Sequence, residues 1–355
     1  EQGRFGEAYE LYEALIAEGD PDLVGRGVIC LWRLDRNAEA ENAASTFGKR
    51  FGKRSGWHSL FQIEQGRSLI RQGKFDRANK LLDDVADKAA DRDTVELTVS
   101  SQILEPMIEE PRATAAYWVT TCLWEGNLAA PTEEGLHKAL AAQTAFLATH
   151  PDNSFVAAVQ LRLGRFHLAH KRYLPAAGAF RAVLDHDHSS RAQMEGAIWL
   201  LLRAYLGGNL YDPAYRTALR IKREFPKHPK ANALQLEIGY ILSQMGQYSR
   251  AIDHFERVLE WAAGEDAAEA RYYIGEAFQH MGEYRTAIRK FYDVSYRGGD
   301  ASSNWITAAD FQRAQCHEAL EENDTAIGVY EKIIEQNGIN SPYGKEAKKR
   351  IDDLN

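Results

Sequence analysis

Cysteine is scarce in this sequence. Three cysteines, Cys30, Cys122 and Cys316, are spread over 355 residues, and each lies within an apolar stretch. An odd number of cysteines without a recurring spacing excludes a small fold that is cross-linked by several disulfide bonds. We therefore expect three buried thiols that pack as small hydrophobic side chains.

Long apolar runs and positive charge are also lacking. No segment approaches the roughly 20 consecutive apolar residues that a membrane-spanning helix needs. Lys and Arg number 43 against 51 Asp and Glu, so the net charge is −8, which argues against a nucleic-acid-binding surface. The one dense basic run, Gly48 to Arg54 with Lys49, Arg50 and Lys53, is interpreted as a solvated loop.

Catalytic motifs are absent as well. The sequence contains no glycine-rich phosphate loop, no G-x-S-x-G and no H-E-x-x-H. His186 and His188 fall in a polar turn without a second ligand pair elsewhere, and adjacent Cys316 and His317 point to different faces of a helix. We therefore expect no catalytic residue, no metal site and no cofactor, and predict that the chain is not an enzyme.

An internal repeat is the strongest feature that is present. One alanine recurs at intervals of 38, 37, 36 and 39 positions, as Ala176, Ala214, Ala251, Ala287 and Ala326. Twelve positions before most of these alanines stands a small residue: Gly164, Gly239, Gly275 or Ala314. Four positions after most of them stands an aromatic residue: Phe180, Phe255, Phe291 or Tyr330. The pattern predicts antiparallel helix pairs with small residues at their closest approach and aromatic residues filling the gap to the next pair.

Glycines mark the turns inside these pairs. Gly246 and Gly282 come directly after the predicted first helices, where a left-handed residue ends a helix at little cost. Tyr173, Tyr248 and Tyr284 then open the second helices as apolar anchors.

This repeat pattern resembles that of the tetratricopeptide repeat family over residues 135–355 and, less completely, over parts of 1–90. The resemblance implies an all-α fold, an α-solenoid of antiparallel helix pairs forming a right-handed superhelix. The tryptophan expected early in the first helix is missing, and the units exceed the usual length of about 34 residues. Such long units are similar to those of bacterial members, including the lipoprotein of the outer-membrane barrel-assembly machinery and the periplasmic coordinator of the Tol-Pal system.

The repeat register divides the chain into three parts. Residues 1–90 are expected to form degenerate helix pairs, residues 91–134 an irregular helical joint, and residues 135–355 the main array. Segment 342–355 resembles the helix that caps such arrays. Residue 1 falls inside a repeat, which predicts a further helix upstream.

The resemblance also implies where a partner binds. First helices line the concave side in this family, so residues beside each small residue face the groove. The predicted partner-binding residues are Arg67, Arg71, Arg165, Trp199, Arg203, Tyr240, Gln244, Tyr272, Glu276, Gln279, His280 and Gln315. Capture of a C-terminal carboxylate is disfavoured, because Leu161, Leu236 and Tyr272 occupy the position where such members carry a polar ligand.

These observations predict a non-catalytic scaffold or adaptor that binds a partner protein in a bacterial multiprotein assembly. The resemblance favours a periplasmic or membrane-associated setting, with peripheral attachment to an envelope complex. Two alternatives stay open: a regulatory module that binds a peptide, and the interaction domain of a larger protein with another domain upstream.

Overall fold

The computed structural model describes residues 2–15, 19–52, 56–88, 110–227, 230–297 and 303–355. Within these ranges the chain is all-α, with helices joined by short turns and no strand. The helices are α1 Gln2–Leu15, α2 Pro21–Arg33, α3 Asn37–Phe51, α4 Gly56–Arg71, α5 Phe75–Lys88, α6 Pro111–Ala129, α7 Glu133–Thr149, α8 Val156–Ala169, α9 Tyr173–Asp185, α10 Arg191–Gly207, α11 Tyr211–Glu224, α12 Ala231–Gln244, α13 Tyr248–Leu259, α14 Gly264–His280, α15 Tyr284–Arg297, α16 Ser303–Ala319, α17 Asn323–Asn337 and α18 Pro342–Leu354. None of the helices in these ranges is both long and apolar enough to cross a bilayer.

The helices form antiparallel pairs in chain order, from α2 with α3 to α16 with α17. First helices of successive pairs touch one another, as α2 touches α4, α4 touches α6, α12 touches α14, and α14 touches α16. Within each unit, these first helices therefore lie side by side. The fold is the solenoid of helix pairs that the repeat predicted.

Two compact units divide the chain. The first comprises residues 1–170 and 178–197, and the second comprises residues 171–177 and 198–355. Each unit has its own buried core. Trp32, Leu60 and Ile63 are among the buried side chains of the first unit, and Phe255 and Phe291 among those of the second.

Glycine in the first helix and an aromatic ring in the second set the spacing within a pair. A Cβ built on Gly239 would lie 2.5 Å from the ring of Phe255, and one on Gly275 would lie 2.7 Å from the ring of Phe291. The prediction of small residues at the closest helix approach is thus confirmed. The aromatic ring also reaches the next pair as predicted: Phe255 stacks on Tyr273, with 5.5 Å between the ring centres, while it packs on Gly239 of its own pair.

A left-handed residue ends the first helix of most pairs, as the glycines predicted. The φ angle is +71° at Gly246 and +76° at Gly282. At Gly246 the turn is closed by hydrogen bonds from the Gly246 N–H to the Ser243 carbonyl and from the Gln247 N–H to the Leu242 carbonyl, each 2.9 Å. Other pairs place a residue with a side chain there, and these left-handed residues are Asp35, Lys171, Asn209 and Glu321. The helical hydrogen-bond pattern holds this conformation even without glycine.

Residues 111–129 of the predicted joint form a regular helix, α6, which packs against α7. Helix α6 begins at Pro111, whose missing N–H costs nothing in the first turn of a helix. It packs on α4, α5 and α7. Residues 91–109 lie outside the described residues, so the division of the chain at 90 and 134 stays a prediction.

Helix α18 closes the second unit. The Ser341 side chain accepts a hydrogen bond of 2.9 Å from the Gly344 N–H and caps the helix. Ala347 and Ile351 are buried against α17, in a cluster with Ile333. The remaining face of α18 carries lysines and acids exposed to solvent, which suits the last helix of an array.

Candidate protein-binding face

The first helices carry a stripe of polar and aromatic residues on the face that does not pack on their partners. Positions two before, one after and five after the small residue fall on this stripe, because a spacing of three or four residues returns to the same helix face. On α12 the stripe is Glu237, Tyr240 and Gln244, and on α14 it is Tyr273, Glu276 and His280, with Glu269 one turn earlier.

In the first unit, the stripe is occupied by internal ion pairs. Glu64 is fully buried, and its Oε1 lies 2.7 Å from Arg33 and 2.6 Å from Arg67. The guanidinium of Arg67 also lies 4.4 Å from the ring centre of Trp118. Burial lowers the pKa of Arg67, and the Glu64 carboxylate acts in the opposite direction. Arg67 therefore contributes to the core of the first unit.

Arg71 is likewise engaged with its own chain. Its Nη2 donates hydrogen bonds of 2.8 Å to the Trp32 carbonyl and to the carboxylate of Asp35. Arg165 differs, since its side chain is exposed on α8. Just before it, Arg162 is half-buried and donates hydrogen bonds to the hydroxyls of Thr120 and Thr121.

Two predicted residues on α10 have opposite environments. Trp199 is only 9% exposed, and the ammonium group of Lys230 lies 5.3 Å from its ring centre. Arg203 is exposed. It is the cation whose charge reaches Glu237, although the two groups make no ion pair.

Half-buried tyrosines connect α12, α14 and α16 in the second unit. The ring centres of Tyr240 and Tyr273 are 5.6 Å apart, and Tyr273 lies 6.0 Å from Trp305. Tyr272 lies 5.2 Å from Trp305 and accepts a 3.4 Å hydrogen bond from Gln312. Burial, followed by the charge of Glu276, raises the pKa of Tyr272 to about 12. These rings form a continuous aromatic surface across three first helices.

Three half-buried glutamates lie beside these rings. Burial raises the pKa of Glu237 in spite of Arg203, and it raises the pKa of Glu276 in spite of His280. The pKa of Glu269 rises to about 7, first through burial and then through the charge of Glu237 and of two acids on its own helix. None of the three glutamates has an ion pair with any described residue. Burial therefore outweighs the nearby charges of Arg203 and His280, and the carboxylates are desolvated without an ion pair among the described residues.

The remaining predicted residues lie at the edge of this surface. Gln244 and His280 are exposed, while Gln279 and Gln315 are half-buried. The His280 ring stacks on Tyr248, with 5.4 Å between the ring centres. Within the second unit, the predicted residues of α12, α14 and α16 thus lie on first helices that contact one another in succession.

Our sequence reading missed Glu237, Glu269, Tyr273 and Trp305. Three of these could have been found by extending the stripe one turn toward the helix start. Glu269, Tyr273, Glu276 and His280 follow one another at intervals of four, three and four residues, which is the spacing of a single helix face. Trp305 has no such signal, because only packing brings it to Tyr272 and Tyr273.

Cys316, His317 and His186 were considered above as possible catalytic or metal-binding residues, and each has its own environment in the structure. Cys316 is fully buried and burial raises its pKa to about 12, so its thiol is not an activated nucleophile. His317 Nδ1 lies 2.6 Å from a Glu322 carboxylate oxygen. His186 faces the Pro151 carbonyl at 3.3 Å. Over the described part of the chain, no three His, Cys, Asp or Glu side chains are placed to hold a metal ion.

A separate groove lies in the first unit, between α5, α6 and α7. It is an open groove of about 1100 Å³, with Asp76, Asp83 and Asp87 along α5 and Lys138 on α7. Burial, and then the charge of Asp87, raises the pKa of Asp83. The basic run Gly48 to Arg54 is described only up to residue 52.

Sequence profiles of the tetratricopeptide repeat match residues 236–303 and 308–337. This part of the chain carries tetratricopeptide repeats. The matched region includes most of α12 and all of α13, α14 and α15, followed by most of α16 and all of α17. It contains all the tyrosines and glutamates of the surface described above. No curated protein sequence matches the chain significantly.

Solved structures of similar fold include the Naa15/Naa10 complex bound to HypK-THB, which is 13% identical with a TM-score of 0.54. That match covers 93% of this chain and 45% of the other. The apo form of RapI is 10% identical with a TM-score of 0.45, covering 93% of this chain and 96% of its own. YrrB, described as a tetratricopeptide-repeat protein with an unusual peptide-binding site, is 18% identical with a TM-score of 0.39, covering 59% and 98%. At these identities the likeness concerns the fold alone.

Proposed function

We propose that this chain is a non-catalytic scaffold or adaptor that binds a partner protein within a bacterial multiprotein assembly. The partner lies on the first-helix face of the second unit, formed by α12, α14 and α16. Tetratricopeptide repeats are protein-interaction modules, and this region carries the repeats that match the family profile.

One observation supports this choice of face above the others. Tyr240, Tyr273 and Glu276 are half-buried on α12 and α14, and the glutamate forms no ion pair within the described part of the chain. Tyrosine contributes much of the binding energy at protein interfaces, because it buries a large area at a small entropic cost. In the first unit the corresponding charges of Glu64 and Arg67 neutralise each other.

The test is a triple variant, Tyr240→Ala, Gln244→Ala and Gln279→Ala. Tyr272 is left unchanged because it packs against Phe291 at 5.7 Å, so its loss would disturb the core. The variant and the native chain are crosslinked in the cells that produce the protein, purified, and compared by quantitative mass spectrometry. We expect the specific partners to be lost from the variant.

A matched control removes exposed side chains from second helices of the same unit. Tyr292 and Tyr296 on α15 are 50% and 76% exposed, and Gln336 on α17 is also exposed. The control variant is Tyr292→Ala, Tyr296→Ala and Gln336→Ala, and we expect it to keep the partners. Equal retention of partners by both variants would place the binding surface elsewhere and overturn the proposal.

A further inference from the structure

The acidic–aromatic face, meaning Glu237, Tyr240, Glu269, Tyr273 and Glu276, has a charge imbalance that the fully buried carboxylates of the described residues do not show. The carboxylates buried among the described residues each have an arginine. Asp22 lies 3.2 Å from Arg26, Glu64 lies 2.7 Å from Arg33, and Asp310 lies 2.9 Å from Arg313. No such pair serves the three glutamates of the face.

Taking a carboxylate out of water without a counter-ion is unfavourable, so such groups are uncommon unless they have another role. The raised pKa of Glu237, of Glu269 and of Glu276 expresses this cost. Arg203 is the only described cation whose charge acts on Glu237, and it does not reverse the shift. A cationic group from outside the chain would remove the cost.

The aromatic rings of this face point to the same chemistry. Tyr240 and Tyr273 lie 5.6 Å apart, and the charges of Glu237 and Glu276 contribute to the raised pKa of Tyr240 after burial and the neighbouring Tyr211 hydroxyl. A tyrosine ring attracts a cation placed over its face and also covers an aliphatic chain. Lysine and arginine side chains have both parts, a long apolar stem and a charged end.

Resting on the proposed function, we propose that the acidic–aromatic face binds a segment of the partner protein rich in lysine and arginine. The carboxylates of Glu237, Glu269 and Glu276 pair with the cationic ends, and the rings of Tyr240 and Tyr273 pack on the stems. The occupant is identified by charge complementarity, since the face has three carboxylates without an ion pair among the described residues, and the nearby charges of Arg203 and His280 do not reverse their pKa shifts.

The test selects 12-residue peptides from a randomised phage-displayed library on the full chain. Selection runs in parallel on a variant carrying Glu237→Gln, Glu269→Gln and Glu276→Gln. The control variant carries Glu260→Gln, Glu331→Gln and Glu335→Gln, which are exposed on the second-helix side of the same unit and change the net charge equally.

We expect peptides enriched in Lys and Arg from the native chain and from the control, but not from the face variant. A synthetic copy of the best peptide should bind the face variant at least about tenfold more weakly in a titration at low salt. Enrichment of neutral or acidic peptides, or equal binding by native chain and face variant, would overturn the proposal. The glutamine substitutions remove desolvated charges, so the face variant is expected to fold at least as well as the native chain.

The pH dependence of peptide binding provides an independent test of the proposal. Burial, and then the charges of Glu237, Asp266 and Glu265, raises the pKa of Glu269 to about 7. A carboxyl group with this pKa is mostly neutral at pH 6 and mostly charged at pH 8. The peptide should therefore bind several-fold more weakly at pH 6, and the difference should shrink in the single variant Glu269→Gln.

The two proposals fail in different ways. If the triple variant with Tyr240→Ala loses its partners while the triple glutamine variant captures them normally, the scaffold function is supported. The same result refutes the proposal that the partner binds through a segment rich in lysine and arginine. Retention of partners by both variants removes the binding face itself.

Discussion

Replacing Gly239 by alanine tests how the helix pairs are spaced. Gly239 lies on α12, where a Cβ would fall 2.5 Å from the ring of Phe255, with other ring atoms at 2.7 and 2.8 Å. Ordinary carbon contacts begin near 3.4 Å, so the ring or the helix must move by about 1 Å. Phe255 is fully buried and stacked on Tyr273, so the ring has no free space on either side.

The magnitude follows from two opposing effects. Overpacking a buried contact costs about 1–3 kcal/mol, and the confined ring places this site in the upper half of the range. Alanine stabilises a helix by about 1 kcal/mol relative to glycine, which offsets part of the cost. We expect Gly239→Ala to lower the free energy of unfolding by about 1–2 kcal/mol.

Gly328→Ala provides the matched control. Gly328 lies inside α17, and a Cβ there meets nothing within 4 Å. Only the helix-propensity effect remains, so this variant should be more stable than the native chain by about 0.5–1 kcal/mol. The two glycine substitutions therefore shift stability in opposite directions.

The assay is urea unfolding followed by far-ultraviolet circular dichroism and by tryptophan fluorescence. Two probes are needed because repeat arrays can unfold in parts. The double variant Gly239→Ala with Phe255→Leu should be less destabilised than the sum of its single changes, since leucine relieves the overlap. If Gly239→Ala is as stable as Gly328→Ala, the close helix approach at this glycine is not what spaces the pair, and the reasoning is refuted.

Three further outcomes can be measured with purified protein. The folded-state pKa of Glu269 is raised to about 7 from 4.5, so its charged form destabilises the fold increasingly as the pH rises from 4.5 to 7. Glu269→Gln should therefore raise the free energy of unfolding by about 1–2 kcal/mol at pH 8 and by almost nothing at pH 4. Glu64→Gln should destabilise the first unit by about 3 kcal/mol, because it leaves two arginines without their buried counter-ion; a thermal melt measures this, and an unchanged melt contradicts the buried network. Ellman's reagent at pH 8 should modify the native chain slowly and all three thiols after denaturation in urea, since burial raises the pKa of each cysteine: Cys30, Cys122 and Cys316.

The helix pairs and their contacts were predictable because they follow from local spacing. Gly275 and Phe291 recur at the separation that places them opposite each other in an antiparallel pair, and the structure brings them together. The turn at Gly282 was predictable for the same reason. The turn at Glu321 was not marked by glycine, yet the hydrogen bond of 2.9 Å from the Glu322 N–H to the His317 carbonyl gives it the same form.

Spacing alone did not predict whether a polar residue is held in an ion pair inside the chain or exposed to solvent. Arg67 and Arg165 occupy equivalent positions of the repeat, but Arg67 is held by Glu64 and Trp118 while Arg165 is exposed. The difference comes from neighbours on other helices, which the register of a single helix does not reveal.

The sequence by itself determined the period, the pairing of small and aromatic residues and the turns, because these depend on residues within one helix pair. Only the tertiary structure decided which charges are neutralised inside the chain and which are left without a partner. Whether Glu237 lies close enough to Glu269 to raise its pKa depends on how α12 packs beside α14. Electrostatic and aromatic contacts between successive pairs are set by that packing, and the candidate binding face is made of such contacts.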